Sequence, residues 1–304
     1  MIELRATAES VEQAKELITL GVDTVYVGED EYGLRLPASL SLEEIKEITE
    51  FAHRQQKKVC VVVNAIFHND RIETVVPYLK SLEEIGADSI TVGDPGVIRL
   101  MARHEIRIPY VYDAHTIVTN ARQVNFWAKR GAIGAVLARE LTFGEIKAIQ
   151  SQVTVPVEVQ VYGATCIHHS KRPLVGNYLN FTKQERNPER ELYISERKAS
   201  DAHYSIYEDA HGTHIFAADD LNLMPYLGDL SEAGVAWWKL DGIFTGGDCF
   251  VSIARLFAEA RQAIQEGRWT TERMESLNRQ LITLHPKERS LSEGFFLKNA
   301  ADVQ

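Results

Sequence analysis

Short continuous apolar runs alternate with amphipathic stretches along the first 160 residues. The runs are Leu4–Thr7, Thr24–Gly28, Val59–Ala65, Ser89–Gly93, Tyr110–Asp113, Ala135–Ala138 and Val157–Val161. Rich in Val and Ile, they read as strands buried on both faces of a parallel sheet. Between them, Ser10–Leu20, Ser41–Gln55, Ile72–Ile85, Asn120–Lys129 and Thr142–Gln150 place apolar residues at three- and four-residue steps, one helix face each. "SLEEI" at Ser41 and "TFGEI" at Thr142 carry a hydroxyl three residues before Glu, the capping-box signature. Gly21, Gly86 and Gly131 stand where a helix must end in a left-handed residue. "LGVDTVYVG", "IGADSITVG" and "RGAIGAVLA" look like three copies of one helix-to-strand junction.

An eighth run at Trp237–Leu240, followed by a helical stretch over Thr245–Gln265, completes the pattern of a (β/α)8 TIM-type barrel. An open doubly wound sheet is the alternative, but no glycine-rich dinucleotide loop follows the first strand. Strands seven and eight are separated by a long insertion, 164–234, polar and charged early and ending in a helix around Met224–Ala233. The tail, 266–304, predicts one more helix over Thr271–Leu284 and an irregular end packed on the barrel. No linker divides the chain, so 1–304 reads as a single barrel domain.

Composition narrows the class. Hydrophobic content of 45% and charged content of 25% are those of a globular protein, and no apolar run is long enough to span a membrane. Glu3 falls where an export signal needs an apolar core. Three scattered cysteines, Cys60, Cys166 and Cys249, argue against a disulfide framework and for the cytoplasm. The net charge of -10 opposes phosphate binding by the surface as a whole. Residues 164–200, with seven Lys/Arg against four Glu, are locally +3. This is either an RNA-facing patch or a solvated loop of mixed charge.

Barrel enzymes work at the C-terminal ends of their strands, so the residues there are the candidates. Strand two leads to Glu29 and Arg35, strand three ends in Asn64, and strand four in Asp94, which precedes Pro95 and reads as a helix N-cap. Strand five ends in Asp113 with His115 beyond, then Asn120; strand six ends in Arg139 and Glu140. Arg35 and Arg139 on one rim would converge on a carboxylate or phosphate, or else pair with Glu29 and Glu140. Asn64 and Asn120 would hold substrate or satisfy loop backbone. Glu140 would act chemically or favour a helix N-terminus. After strand seven, "CIHHSKRPLVGNY" offers Cys166 with His169 as nucleophile and base, and Lys171, Arg172 and Tyr178 as exposed contacts. Cys166, His168 and His169 could also form a zinc site with His203, His211 or His214.

Three spaced motifs, "VLARELTFGEIKAI" (136–149), "VQVYGATC" (159–166) and "DDLNLMPYLGDLSEAGVAWWKLDGIF" (219–244), resemble the collagenase-like peptidase family, peptidase family U32, across nearly the whole chain. The resemblance implies a barrel and one of two activities: proteolysis, or hydroxylation of tRNA uridine (linked to prephenate) or of quinone precursors. Members of the second kind hold an iron–sulfur cluster on four cysteines. Here only Cys166 matches; "SKRP" puts Pro173 where the family has a second cysteine, and Tyr162 stands for the usual His.

The expectation is therefore a protein of tRNA uridine hydroxylation, paired with a paralogous cysteine-rich U32 chain. No cofactor is expected in the isolated chain and no metal site, and Cys166 is expected to be a free thiol. A small carboxylate metabolite would bind at the rim, and tRNA would bind through 164–200. Direct proteolysis and a non-catalytic scaffold are the alternatives; neither HExxH nor GxSxG occurs.

Overall fold

A computed structural model describes residues 1–114, 117–185, 192–196 and 199–299. His115, and Arg186, Arg190, Arg197 and Lys198 of the basic run, lie outside the described residues.

The chain opens with seven strands: β1 (Glu3–Thr7), β2 (Thr24–Val27), β3 (Lys58–Val63), β4 (Ser89–Val92), β5 (Tyr110–Tyr112), β6 (Ala132–Val136) and β7 (Val157–Gly163). Six helices separate them: α1 (Val11–Leu20), α2 (Leu42–Arg54), α3 (Val75–Ile85), α4 (Pro95–Arg103), α5 (Ala121–Ala128) and α6 (Phe143–Gln150). Ser41 and Thr142 form the two capping boxes, and Gly21, Gly86 and Gly131 end in positive φ. Later, β13 (Trp237–Leu240) pairs in parallel with both β7 and β1 and closes the eight-stranded barrel, while α9 (Gly247–Gln265) and α10 (Thr271–Leu284) complete its outer layer.

The apolar faces of helices and strands meet outside the barrel in one large core, from Leu4 and Leu17 round to Phe250 and Leu281. Among the described residues two small apolar groups stand apart from it inside the barrel, Tyr26–Cys60–Val62 and Val111–Val136–Trp237. The rest of that interior is polar. Arg5 and Glu158, both buried, are 3.2 Å apart; the Tyr26 hydroxyl donates to Glu158 at 2.5 Å and accepts from Arg5 at 3.0 Å. The Arg5 guanidinium also lies over the Trp237 ring.

The insertion carries more structure than its sequence announces. It holds β8 (Cys166–Ser170), α7 (Leu174–Thr182), β9 (Leu192–Glu196), β10 (Ala199–Asp209), β11 (Gly212–Phe216), β12 (Asp219–Asn222) and α8 (Leu227–Glu232). Four of these strands form an antiparallel sheet in the order β8-β11-β10-β9. The fifth, β12, pairs with β7, and the short tail strand β14 (Ser290–Ser292) pairs with β12. The expected irregular end of the chain is thus partly a strand. Arg289 binds Asp220, Ser205 and the Ala217 carbonyl, and His211 meets the Asp30 carbonyl at 2.6 Å, so both ends of the sheet are tied to the barrel. Among the described residues no helix is long and apolar enough to cross a membrane.

Candidate functional site

One face of the four-stranded sheet looks toward the barrel mouth, and strand register decides what it presents. Cys166 pairs with Phe216, His169 with His214, and His214 with Tyr207, so all five side chains share that face. The His169 and His214 rings stack at 4.5 Å, and Tyr207 stacks on the other side of His214 at 4.9 Å. Phe216 meets Phe244, which follows β13, and so seats the sheet on the barrel. On the opposite face Thr213 and Glu208 accept backbone N–H groups from the first turn of α7.

Beneath this face lies a pocket of about 340 Å³ lined by Arg35, Arg139, Cys166 and His169, with Ile66, Ala114, Ile117, Ile167 and His168. Arg35 reaches it from the loop after β2, where the chain takes a left-handed turn at this non-glycine residue (φ 57°). Asn64 fixes that loop: its Oδ1 accepts from the Leu34 N–H and its Nδ2 donates to Asp113, both at 2.8 Å. Arg139 donates through Nε to Gln160, whose amide in turn binds the carbonyls of Gly163 and Ala164 at the end of β7. Burial and the nearby Arg139 hold the Arg35 guanidinium below its usual value, against the pull of Cys166 and Asp113. Two guanidiniums sharing one small pocket favour an anion there.

Cys166 has a second set of neighbours. Buried His214 is 3.1 Å from Asp209 through Nε2, while its Nδ1 has no oxygen or nitrogen partner. The Cys166 thiol interacts with this ring and donates to the His168 carbonyl at 3.3 Å. Burial pushes the thiol upward, but the adjacent His214 ring and the charges of Arg35, His214 and Arg139 outweigh it, so Cys166 lies below the ordinary cysteine value. His214 is displaced the other way: burial lowers it, yet its bond to Asp209 and the neighbouring Cys166 raise it overall. Stacked against it, His169 is lowered by burial and binds the His211 carbonyl at 3.0 Å. A cysteine beside an imidazole that is itself held by a carboxylate is the arrangement that activates a sulfur nucleophile.

The other residues singled out in the sequence lie elsewhere. Glu140 is exposed and does not line the pocket. Asn120 caps α5 by accepting from the Gln123 N–H, and Asp94 caps α4 through Gly96. Lys171 binds the Ala210 carbonyl beside a separate pocket that it shares with His68 and His211, Arg172 is exposed, and Tyr178 projects from the outside of α7. Sequence reasoning named His214 only as a remote zinc ligand and missed Asp209 and Tyr207. The available signal was "YEDAHGTHIF", in which Gly212 follows a two-residue turn and pairs with Asp209, folding Tyr207 onto His214.

The three cysteines sit in three separate surroundings. Cys60 is buried against Tyr26 inside the barrel, its thiol pushed up to about 12 by burial, and Cys249 donates to the Leu284 carbonyl at 3.1 Å. Cys166 alone faces the pocket. Among the described residues no group of three or more His, Cys, Asp or Glu side chains is placed to hold a metal. These residues do not fit a four-cysteine cluster.

A model of peptidase family U32 matches residues 9–303. The tRNA hydroxylation protein P2 of Bacillus subtilis is 34% identical over 302 residues, covering 97% of each chain. The tRNA hydroxylation protein P1 of the same bacterium is 29% identical over 248 residues, which span 79% of this chain and 58% of that protein. The solved structure of a U32 peptidase covers 81% of this chain and 94% of its own at a TM-score of 0.50 and 15% identity, a likeness of fold alone. With the family model matched over almost its full length and a relative 34% identical from end to end, the chain belongs to peptidase family U32.

Proposed function

We propose that this protein serves the hydroxylation of uridine in tRNA, binding a small carboxylate at the barrel mouth and working beside a paralogous, cysteine-rich U32 chain. The observation that carries the reading is the end-to-end similarity to a tRNA hydroxylation protein. The pocket supports it from the chemical side. About 340 Å³ with two arginines suits a metabolite-sized acid and is too small for a folded RNA element. RNA would instead meet the insertion, where Lys171, Arg172 and Lys183 accompany the exposed rings of Tyr178 and Phe181. The paralogue would supply the cluster for which this chain lacks ligands; two tRNA hydroxylation proteins in one bacterium fit such a pairing.

Deleting the gene and analysing bulk tRNA nucleosides by mass spectrometry tests the process. Loss of 5-hydroxyuridine-type modification is expected, and an unchanged level would refute the role. Proteolysis has one observation in its favour, the Cys166–His214–Asp209 arrangement, but the arginines beside the sulfur select an anion rather than a neutral amide. Cleavage of gelatin or casein by the purified chain, abolished in Cys166→Ala, would reverse this preference.

A further inference from the structure

We propose that Cys166, His214 and Asp209 form a nucleophilic thiolate site that captures a small carbonyl-bearing carboxylic acid by addition to its carbonyl carbon. This deepens the small-acid part of the function proposed above and does not depend on the tRNA part. Two independent features converge on it. One is the pocket, where Arg35 and Arg139 flank the sulfur and would take a carboxylate. The other is the buried His214 ring beside the thiol, tied to Asp209 through Nε2 and without a hydrogen-bond partner on Nδ1.

The charged groups around the sulfur come from every element packed on it. Arg35 and Arg139 approach from the barrel rim, with Asp113 at the end of β5 behind Arg35, and His214 and Tyr207 from the sheet. Burial lowers His169 and holds Tyr207 above its usual value, so Arg35, Arg139 and His214 are the groups that favour charge on the sulfur. An ordinary cysteine is only a few per cent thiolate at neutral pH, and this surrounding raises that fraction.

The step is an addition and needs no oxidant. The thiolate sulfur forms a C–S bond to the carbonyl carbon, and the carbonyl π pair moves to the oxygen. That oxygen takes a proton from solvent in the pocket, giving a hemithioacetal-type adduct, while the imidazole of His214 beside the sulfur keeps the proton it took from the thiol; the reverse sequence releases the acid. Cys166 touches the reacting atoms; His214 acts through the sulfur, and Asp209 is a positioning residue that orients the imidazole and favours its charged form.

The test is alkylation of Cys166 in the full chain, read by peptide mass spectrometry across pH, with the urea-unfolded chain as reference. With iodoacetamide, the folded midpoint is expected below the unfolded one, and His214→Gln should return it toward the unfolded value. Asp209→Asn, at the more exposed end of the pair, should shift it part of the way and serves if the buried substitution does not fold. Iodoacetate, carrying the carboxylate, should react about tenfold faster at Cys166 than iodoacetamide, a preference that Arg139→Gln removes. Glyoxylate should protect Cys166 at a concentration where acetate does not. Equal midpoints in the folded and unfolded chains would overturn the thiolate. Equal protection by acetate and glyoxylate would overturn covalent capture while leaving the anion pocket standing. Preference for iodoacetamide would overturn the pocket's selectivity, and with it the small-acid reading. Retained tRNA hydroxylation in a deletion strain bears only on the process.

Discussion

Asn64 holds two walls of the pocket together without lining it: one end of its amide fixes the Arg35 loop and the other binds Asp113. Asn64→Ala should therefore weaken binding of a small acid while costing about 1–3 kcal/mol of stability, the penalty for buried groups left without partners. Isothermal calorimetry and urea denaturation on the same samples separate the two effects. Arg139 contributes more directly, and Arg139→Gln should lose about 2–5 kcal/mol of binding to such an acid. A loss below measurement error would remove Arg139 from the site. Deep in the barrel, Glu158→Ala leaves the buried Arg5 with Glu3 as its carboxylate and the Tyr26 hydroxyl without its acceptor, and should cost about 1–3 kcal/mol in urea unfolding. These residues differ in how far the sequence exposed them. Arg35 and Arg139 stood out because a charged residue at a barrel strand end is conspicuous. His214 and Asp209 did not, because their roles arise from cross-strand register in a sheet whose exposed strands lack a clean apolar alternation.

At the scale of elements, the barrel was legible because each helix and strand announces itself locally, by period, cap and terminal glycine. The α6 cap is a sharp case: Thr142 accepts from Glu145 and its own backbone N–H is held by the Glu145 carboxylate. Thr142→Ala should cost about 1 kcal/mol, visible as a lower Tm with unchanged ligand binding. The junction of β7 with the insertion is less forgiving. Gly163 has φ 102° and packs its Cα against the Asp241 carbonyl, leaving no room for a Cβ. Gly163→Ala should destabilise the fold and also disturb the pocket, since the Gln160 amide that steadies Arg139 binds the Gly163 carbonyl. The insertion itself was read as a polar segment ending in a helix. It escaped recognition as a sheet because the face that would ordinarily be apolar carries Cys166, His169 and His214 for the pocket.

For the whole molecule, the placement of the cysteines sets the expectation that the purified chain is colourless and free of stoichiometric iron or zinc. Anaerobic purification and elemental analysis check this; several irons per chain would show that ligands come from residues or partners not considered above. Chelator treatment should leave the Tm unchanged, and a fall would mean that metal helps hold the insertion in place. Backbone pairing of β12 with β7 and β14, together with Arg289 and His211, already fastens the sheet over the barrel mouth. A cluster at that position would be a passenger on the architecture and not a rivet in it. A lineage could then shed its cysteines one by one, keep the roofed chamber beneath, and pass it on to be furnished with different chemistry.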